Sequence, residues 1–307
     1  MFLTKNKNYD KVLKEWRKSG LEFEYEVEKV FEKLNWLFKG ESNYQVYREL
    51  PEMGFFQKEF VERSVDLDMI KMDIINDEYV LYQNALVEVK YLEGCACFLR
   101  ANTFLSALTR NLILPIGDPI EYKPFTEAQL NPLFKSPFLY KGKGIRFNKE
   151  NNKQGRRMDI INKGINQLRW ACINEFFHSV YAGLALPSKK LYGINLIHLV
   201  LATSGGIYVR NENMEKGKEF SSYFVPVPYG VILFPLSKNL ITYAKKLISE
   251  WSIDEDKKKI MFDLLSRYLP GTRIYIVNNQ YLEEFLSKLY TACVERLKQI
   301  ISPLRTS

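Results

Sequence analysis

The chain has 307 residues, 46% of them hydrophobic and 26% charged, which allows a sizeable core and excludes a disordered or fibrous protein. Its formal charge is +8, a balance that suits an acidic partner. Four cysteines with a single close pair, Cys95 and Cys97, and two histidines, His178 and His198, exclude a zinc quartet or a histidine-rich metal centre.

The opening "MFLTKNKNYDKVLKEW" is charged throughout and lacks the apolar run of a signal peptide. Helical periodicity covers 8–19 and 21–38; in the second stretch Phe23, Val27, Val30, Phe31 and Leu34 recur at three- and four-residue steps. Short strands are expected at 44–50 and 55–62. Two further strands follow, "SVDLDMIKMD" (64–73) and "ALVEVKYL" (85–92), with a turn near Asn76–Asp77 between them. Residues 96–113 read as helix, and 114–155, rich in Pro, Gly, Asn and Lys, as irregular. A helix is expected at 157–182 and a buried strand in "NLIHLVLATSGGIYV", with a Gly-Gly turn into a second strand. Helices at 237–251 and 256–267, the strand "RIYIVN" and a helix at 280–300 close the chain. This order suggests one α/β domain over 1–307 with an insertion at about 95–156. The most apolar stretch, "INLIHLVLA", is too short to span a bilayer. A cytoplasmic protein with no membrane partner and four reduced, structural thiols is expected.

The two charged strands raise the chemical question, because a buried carboxylate is costly unless it is paired or coordinates a metal. Glu88 and Lys90 are two apart and so point to one face of their strand, while Val87 and Val89 point to the other. Asp66 and Asp68 have the same spacing, and either can face the same cleft. Carboxylates meeting from adjacent strands, with the carbonyl of Val89 as a third ligand, suit a hard divalent cation, Mg2+ or Mn2+. Lys90 would orient an attacking water or stabilise charge on a phosphate. From Lys135 to Arg169 ten basic residues are opposed only by Glu150 and Asp159, so this window equals the charge of the whole chain. Within it "YKGKGIRFNKENNKQGRRMD" reads as a flexible phosphate-contacting loop, with Lys141, Lys143, Arg146, Lys153, Arg156 and Arg157 as nucleic-acid contacts.

"DLDMI" followed twenty residues later by "LVEVK" resembles the core of the PD-(D/E)XK nuclease superfamily, the restriction-endonuclease-like fold. "FEYEVEKVFEKLNW" is similar to that family's first helix, and "RIYIVNNQYLEEFL" to a late strand and helix of some members. The likeness covers 23–92 well, 157–210 loosely and 273–287 weakly. It implies a restriction-endonuclease-like core, a central mixed sheet flanked by helices, and a Mg2+- or Mn2+-dependent endonuclease acting on DNA rather than RNA, in restriction or defence. On this alignment Asp68, in "LDMI", is the metal-binding Asp and Asp66 the alternative; Leu67 stands where the family pattern has Pro. Glu88 and Lys90 supply the E-x-K pair, Glu24 acts from the helix side, and Gln167 or Lys163 is directed at the site from the helix after the E-x-K strand. Many relatives cut both strands as dimers, so a homodimer is a further implication. Two other readings stand beside it: a nucleic-acid-binding protein that keeps the fold without cutting, and a structural α/β protein whose ion pairs are internal.

Overall fold

Phe23, Val27 and Phe31 recur at four-residue steps and form the buried stripe of the first helix, α1 (Leu21–Lys33). Asn35, at φ 60°, ends it. The Asn35 N–H donates to Glu32 O at 2.9 Å and the Trp36 N–H to Phe31 O at 3.0 Å, while the Trp36 and Phe31 rings meet edge-on at 5.5 Å. This left-handed exit stops the helix before residue 38, where periodicity placed its end. The structure is a computed structural model that describes residues 11–13, 16, 20–48, 59–75, 77, 79–92, 94–100, 112–116, 138–146, 160–185, 192–211, 223–233, 238–250, 252, 254–268 and 273–301.

Three antiparallel strands follow α1: β1 (Leu37–Arg48), β2 (Glu59–Ile74) and β3 (Tyr79–Lys90). Then come β4 (Gly94–Arg100), β5 (Leu112–Ile116), β6 (Phe138–Arg146), helix α2 (Ile160–Ala185), β7 (Tyr192–Thr203) and β8 (Gly206–Arg210). The chain continues through β9 (Phe224–Val227), β10 (Tyr229–Leu233), helices α3 (Lys238–Glu250) and α4 (Glu255–Tyr268), β11 (Arg273–Asn278) and helix α5 (Leu282–Ile301). Among the described residues the eleven strands make one mixed sheet, ten of them in the order β1-β2-β3-β7-β11-β10-β6-β4-β8-β9 and β5 paired with β7 off that path. β7 runs parallel to β3 along its whole length and divides its other edge between β5 and β11.

The sheet is sandwiched because its central strands alternate between two apolar clusters. On one side Leu86, Leu199, Leu201, Ile274 and Ile276 pack with Ile161, Leu168, Cys172 and Phe176 of α2, Ile248 of α3 and Met261 of α4. On the other Ala85, Val87, Val89, Val200, Tyr275 and Val277 pack with Phe23, Val27 and Phe31 of α1 and Phe285, Leu286 and Leu289 of α5. This is the mixed α/β architecture, a central sheet flanked by helices.

The insertion departs from expectation. Residues 94–100 are a strand, not the start of a helix: Ala96 and Phe98 bury on the α2 side while Cys95 and Cys97 are buried from the opposite face of β4. A short apolar run buried on both faces carries no period that separates strand from helix. Residues 112–116 and 138–146, read as helix end and irregular loop, are strands as well. β6 lies between β10 and β4, so Lys141, Lys143 and Arg146 belong to a strand rather than to a flexible loop. Lys153, Arg156 and Arg157 lie outside the described residues. All four cysteines are free and buried, and no helix among the described residues is long and apolar enough to cross a membrane.

Candidate functional site

β3, β7 and β11 are parallel, and Lys90, Thr203 and Asn278 stand side by side at their C-terminal ends. In open α/β sheets this is the end at which ligands bind. Along β3 the odd-numbered residues from Ala85 to Val89 bury against the α1 layer, and the even-numbered ones face α2. On that second face the apolar pattern breaks: Leu86 is flanked by Asn84 and Glu88, and Lys90 follows.

Glu88 is 0% exposed. Its Oε1 accepts from Lys90 Nζ in a short ion pair, and its Oε2 is buried without a hydrogen-bond partner among the described residues. Lys90 Nζ also lies 3.5 Å from Asp66 Oδ2, which accepts the Val89 N–H at 2.6 Å. The β2–β3 ladder pairs Leu67 with Val87, and one further step brings Asp66 opposite Glu88. Two carboxylates thus share one ammonium. Burial raises the pKa of the Glu88 carboxyl, Lys90 opposes that rise and Asp66 adds to it, and the balance leaves it at about 8. The lysine compensates only part of the burial.

Helix α2 closes over this group at Gly164. A Cβ there would lie 2.7 Å from Leu201 Cδ1 and 3.2 Å from both Glu88 Cγ and Lys90 Cε. Only a glycine lets the helix approach so closely. Lys163, beside it, is exposed and acts electrostatically on Glu88, while Gln167, one turn further along, is half-buried.

Asp68 is placed differently from the expectation. It is 4% exposed on the same face but opposite Leu86, and its Oδ2 lies 3.4 Å from Lys39 Nζ. Lys39 also reaches Glu175 of α2 at 3.5 Å and Asn84 Oδ1 at 3.3 Å. The register of β2, which periodicity does not reveal, gives Asp66 to the Glu88–Lys90 pair and Asp68 to a second polar group. Val89 meets Asp66 through its N–H. Glu24 is half-buried in the first turn of α1, next to Phe23, whose ring meets Tyr91 at 6.4 Å just beyond Lys90. It therefore stands at the end of β3 in the layer opposite Gly164. His198 belongs to the core: its Nε2 is 3.0 Å from Gln83 Oε1, and burial lowers its pKa to about 4.

No family model, curated protein or solved structure matches the chain. What the site can do therefore rests on its own geometry. Among the described residues no three His, Cys, Asp or Glu side chains gather as a metal-binding group. The pair Asp66–Glu88 nevertheless fits a hard cation on one count: the Glu88 Oε2 is buried without a hydrogen-bond partner among the described residues. Gly164 was legible in principle, since a lone glycine inside a helical run signals close approach. Lys39 and Glu175 gave no such signal.

Proposed function

We propose that the chain is a metal-dependent nuclease of the PD-(D/E)XK kind, hydrolysing phosphodiester bonds in nucleic acid, with DNA as the substrate class the resemblance implies. The observation that carries this reading is Glu88, fully buried and incompletely satisfied, joined through Lys90 to Asp66 at the C-terminal ends of parallel strands. The order of α1, the antiparallel β1–β3 meander, the α2 crossover and the parallel β7 supports a restriction-endonuclease-like core. The free cysteines fit a reducing, cytoplasmic setting.

In this reading Asp66 and Glu88 hold Mg2+ or Mn2+. When bound, such an ion supplies Lewis-acid polarisation of the phosphate and a water of lowered pKa. Asp66 is fixed for that task by the Val89 N–H. Lys90, drawn between the two carboxylates, donates to the attacking water or to the phosphate oxygen that gains charge. Lys163 and Gln167 face the substrate from α2, and Glu24 acts from the strand end. The basic residues from Lys141 to Arg157 neutralise backbone phosphates, and two copies of the chain would present one site to each strand of a duplex.

A second reading has one observation in its favour: Lys90 already bridges Glu88 and Asp66, as an internal structural ion pair would. Cleavage decides between them. With magnesium or manganese on several nucleic acids, Asp66→Asn, Glu88→Gln and Lys90→Ala should each lower the rate by about 100-fold or more, and Asp68→Asn by less than about 10-fold. Undiminished rates in the first three variants would remove the site.

A further inference from the structure

Lys90 is the last residue of β3, and strand ends fray. Its ammonium must nevertheless stay between Asp66 and Glu88. The backbone ladder stops at the pairing of Lys90 with Thr203, so some other group must hold the chain just beyond it. That group is the turn between β7 and β8.

Ser204 Oγ accepts the Leu92 N–H at 2.9 Å and donates back to Leu92 O at 3.3 Å, and the Ser204 N–H lies 3.4 Å from Lys90 O. One side chain thereby carries the β3–β7 pairing two residues past its backbone limit. The turn is itself fixed. The Gly205 N–H donates to Thr203 Oγ1 at 3.2 Å, and a Cβ on Gly205 would fall 2.6 Å from Gly94 O and 2.8 Å from Leu92 Cβ. Asn278, at the end of β11, donates from Nδ2 to Gly205 O at 3.0 Å, and its Oδ1 accepts the Gln280 N–H at 2.9 Å. An unbroken chain of bonds thus runs from Leu92 through Ser204 and Gly205 to Asn278 and the 3-10 turn, Asn279–Tyr281, that leads into α5.

We propose that Ser204 is a positioning residue, a hydroxyl latch that holds the end of β3 so that Lys90 stays between Asp66 and Glu88. It acts through Lys90 and touches no reacting atom. Its role in cleavage rests on the proposed function; the latch itself does not. A loosened strand end would displace the ammonium by a fraction of a turn, and misplacements of about 1 Å cost up to roughly 100-fold in rate.

The test compares wild type, Ser204→Ala, Ser204→Thr and the control Ser249→Ala, which removes an exposed hydroxyl bonded to Lys246 O on α3. Hydrogen exchange of the Leu92 amide and metal-dependent cleavage are measured on each. Ser204→Ala should speed Leu92 exchange about 10-fold while Val87 exchange stays put, and lower kcat about 10-fold with KM unchanged. Ser204→Thr, which keeps the hydroxyl, should restore both, and Ser249→Ala should change neither. Unchanged Leu92 exchange in Ser204→Ala, or faster exchange with an unaltered kcat, would overturn the proposal. A wild type that cleaves nothing would sink the nuclease reading instead, and exchange alone would then decide the latch.

Discussion

Glu88 occupies a sheet position at which Leu86, two residues earlier, simply packs under α2. Its carboxyl, pushed up to about 8 by burial, defines a stability signature. Between its ordinary value of 4.5 and about 8 the folded chain retains a proton that the unfolded chain has released. Folding stability is therefore greatest below that window, falls as pH rises through it, and levels off above it. Glu88→Gln removes the dependence. In EDTA its Tm should match that of wild type near pH 5 and exceed it by several degrees above pH 8, as melting curves across that range would record. An offset independent of pH would contradict the assignment. The pairing of Glu88 with Lys90 was legible in the sequence, because a separation of two on a strand fixes the face. The choice between Asp66 and Asp68 was not, because both share that face and only the β2–β3 register separates them.

Among the helices, α2 approaches the site, with Gly164 set against Glu88 and Lys90. Alanine at this position gains about 1 kcal/mol of helix propensity but places a methyl against Leu201, Glu88 and Lys90. Gly164→Ala should thus leave Tm within a few degrees of wild type and lower cleavage about 10-fold, with Gly164→Val more severe in both. A fully active Gly164→Ala would mean that α2 does not set the carboxylate geometry. α2 and α5 were legible because their apolar stripes run for several turns, and β7 and β11 because they are solid apolar runs ended by polar turns. β4 was not: "CACF" is too short to show a period and is buried on both faces. β6 was hidden by its glycines and lysines, which read as loop, although its neighbours β10 and β4 supply the pairing that makes it a strand.

Across the whole molecule, helical layers pack on both faces of the sheet, and Lys90, Thr203 and Asn278 stand side by side at the C-terminal ends of β3, β7 and β11. The mixed α/β architecture, with α1, α2, α5, β7 and β11, followed from helical period and apolar runs, whereas β4, β5, β6, β9 and β10 and the polar groups around Lys39 and Ser204 depend on pairings between segments far apart in sequence. Asp66 and Glu88 are proposed to bind a hard divalent ion, and a ligand bound only by the folded state raises the melting temperature of the entire domain. The most direct measurement is the Tm at pH 8 with and without manganese, for wild type, Asp66→Asn, Glu88→Gln and Asp68→Asn. Manganese is predicted to raise the Tm of wild type and of Asp68→Asn by several degrees and to leave that of Asp66→Asn and Glu88→Gln unmoved. An unshifted wild type, or an equal rise in all four proteins, would contradict it.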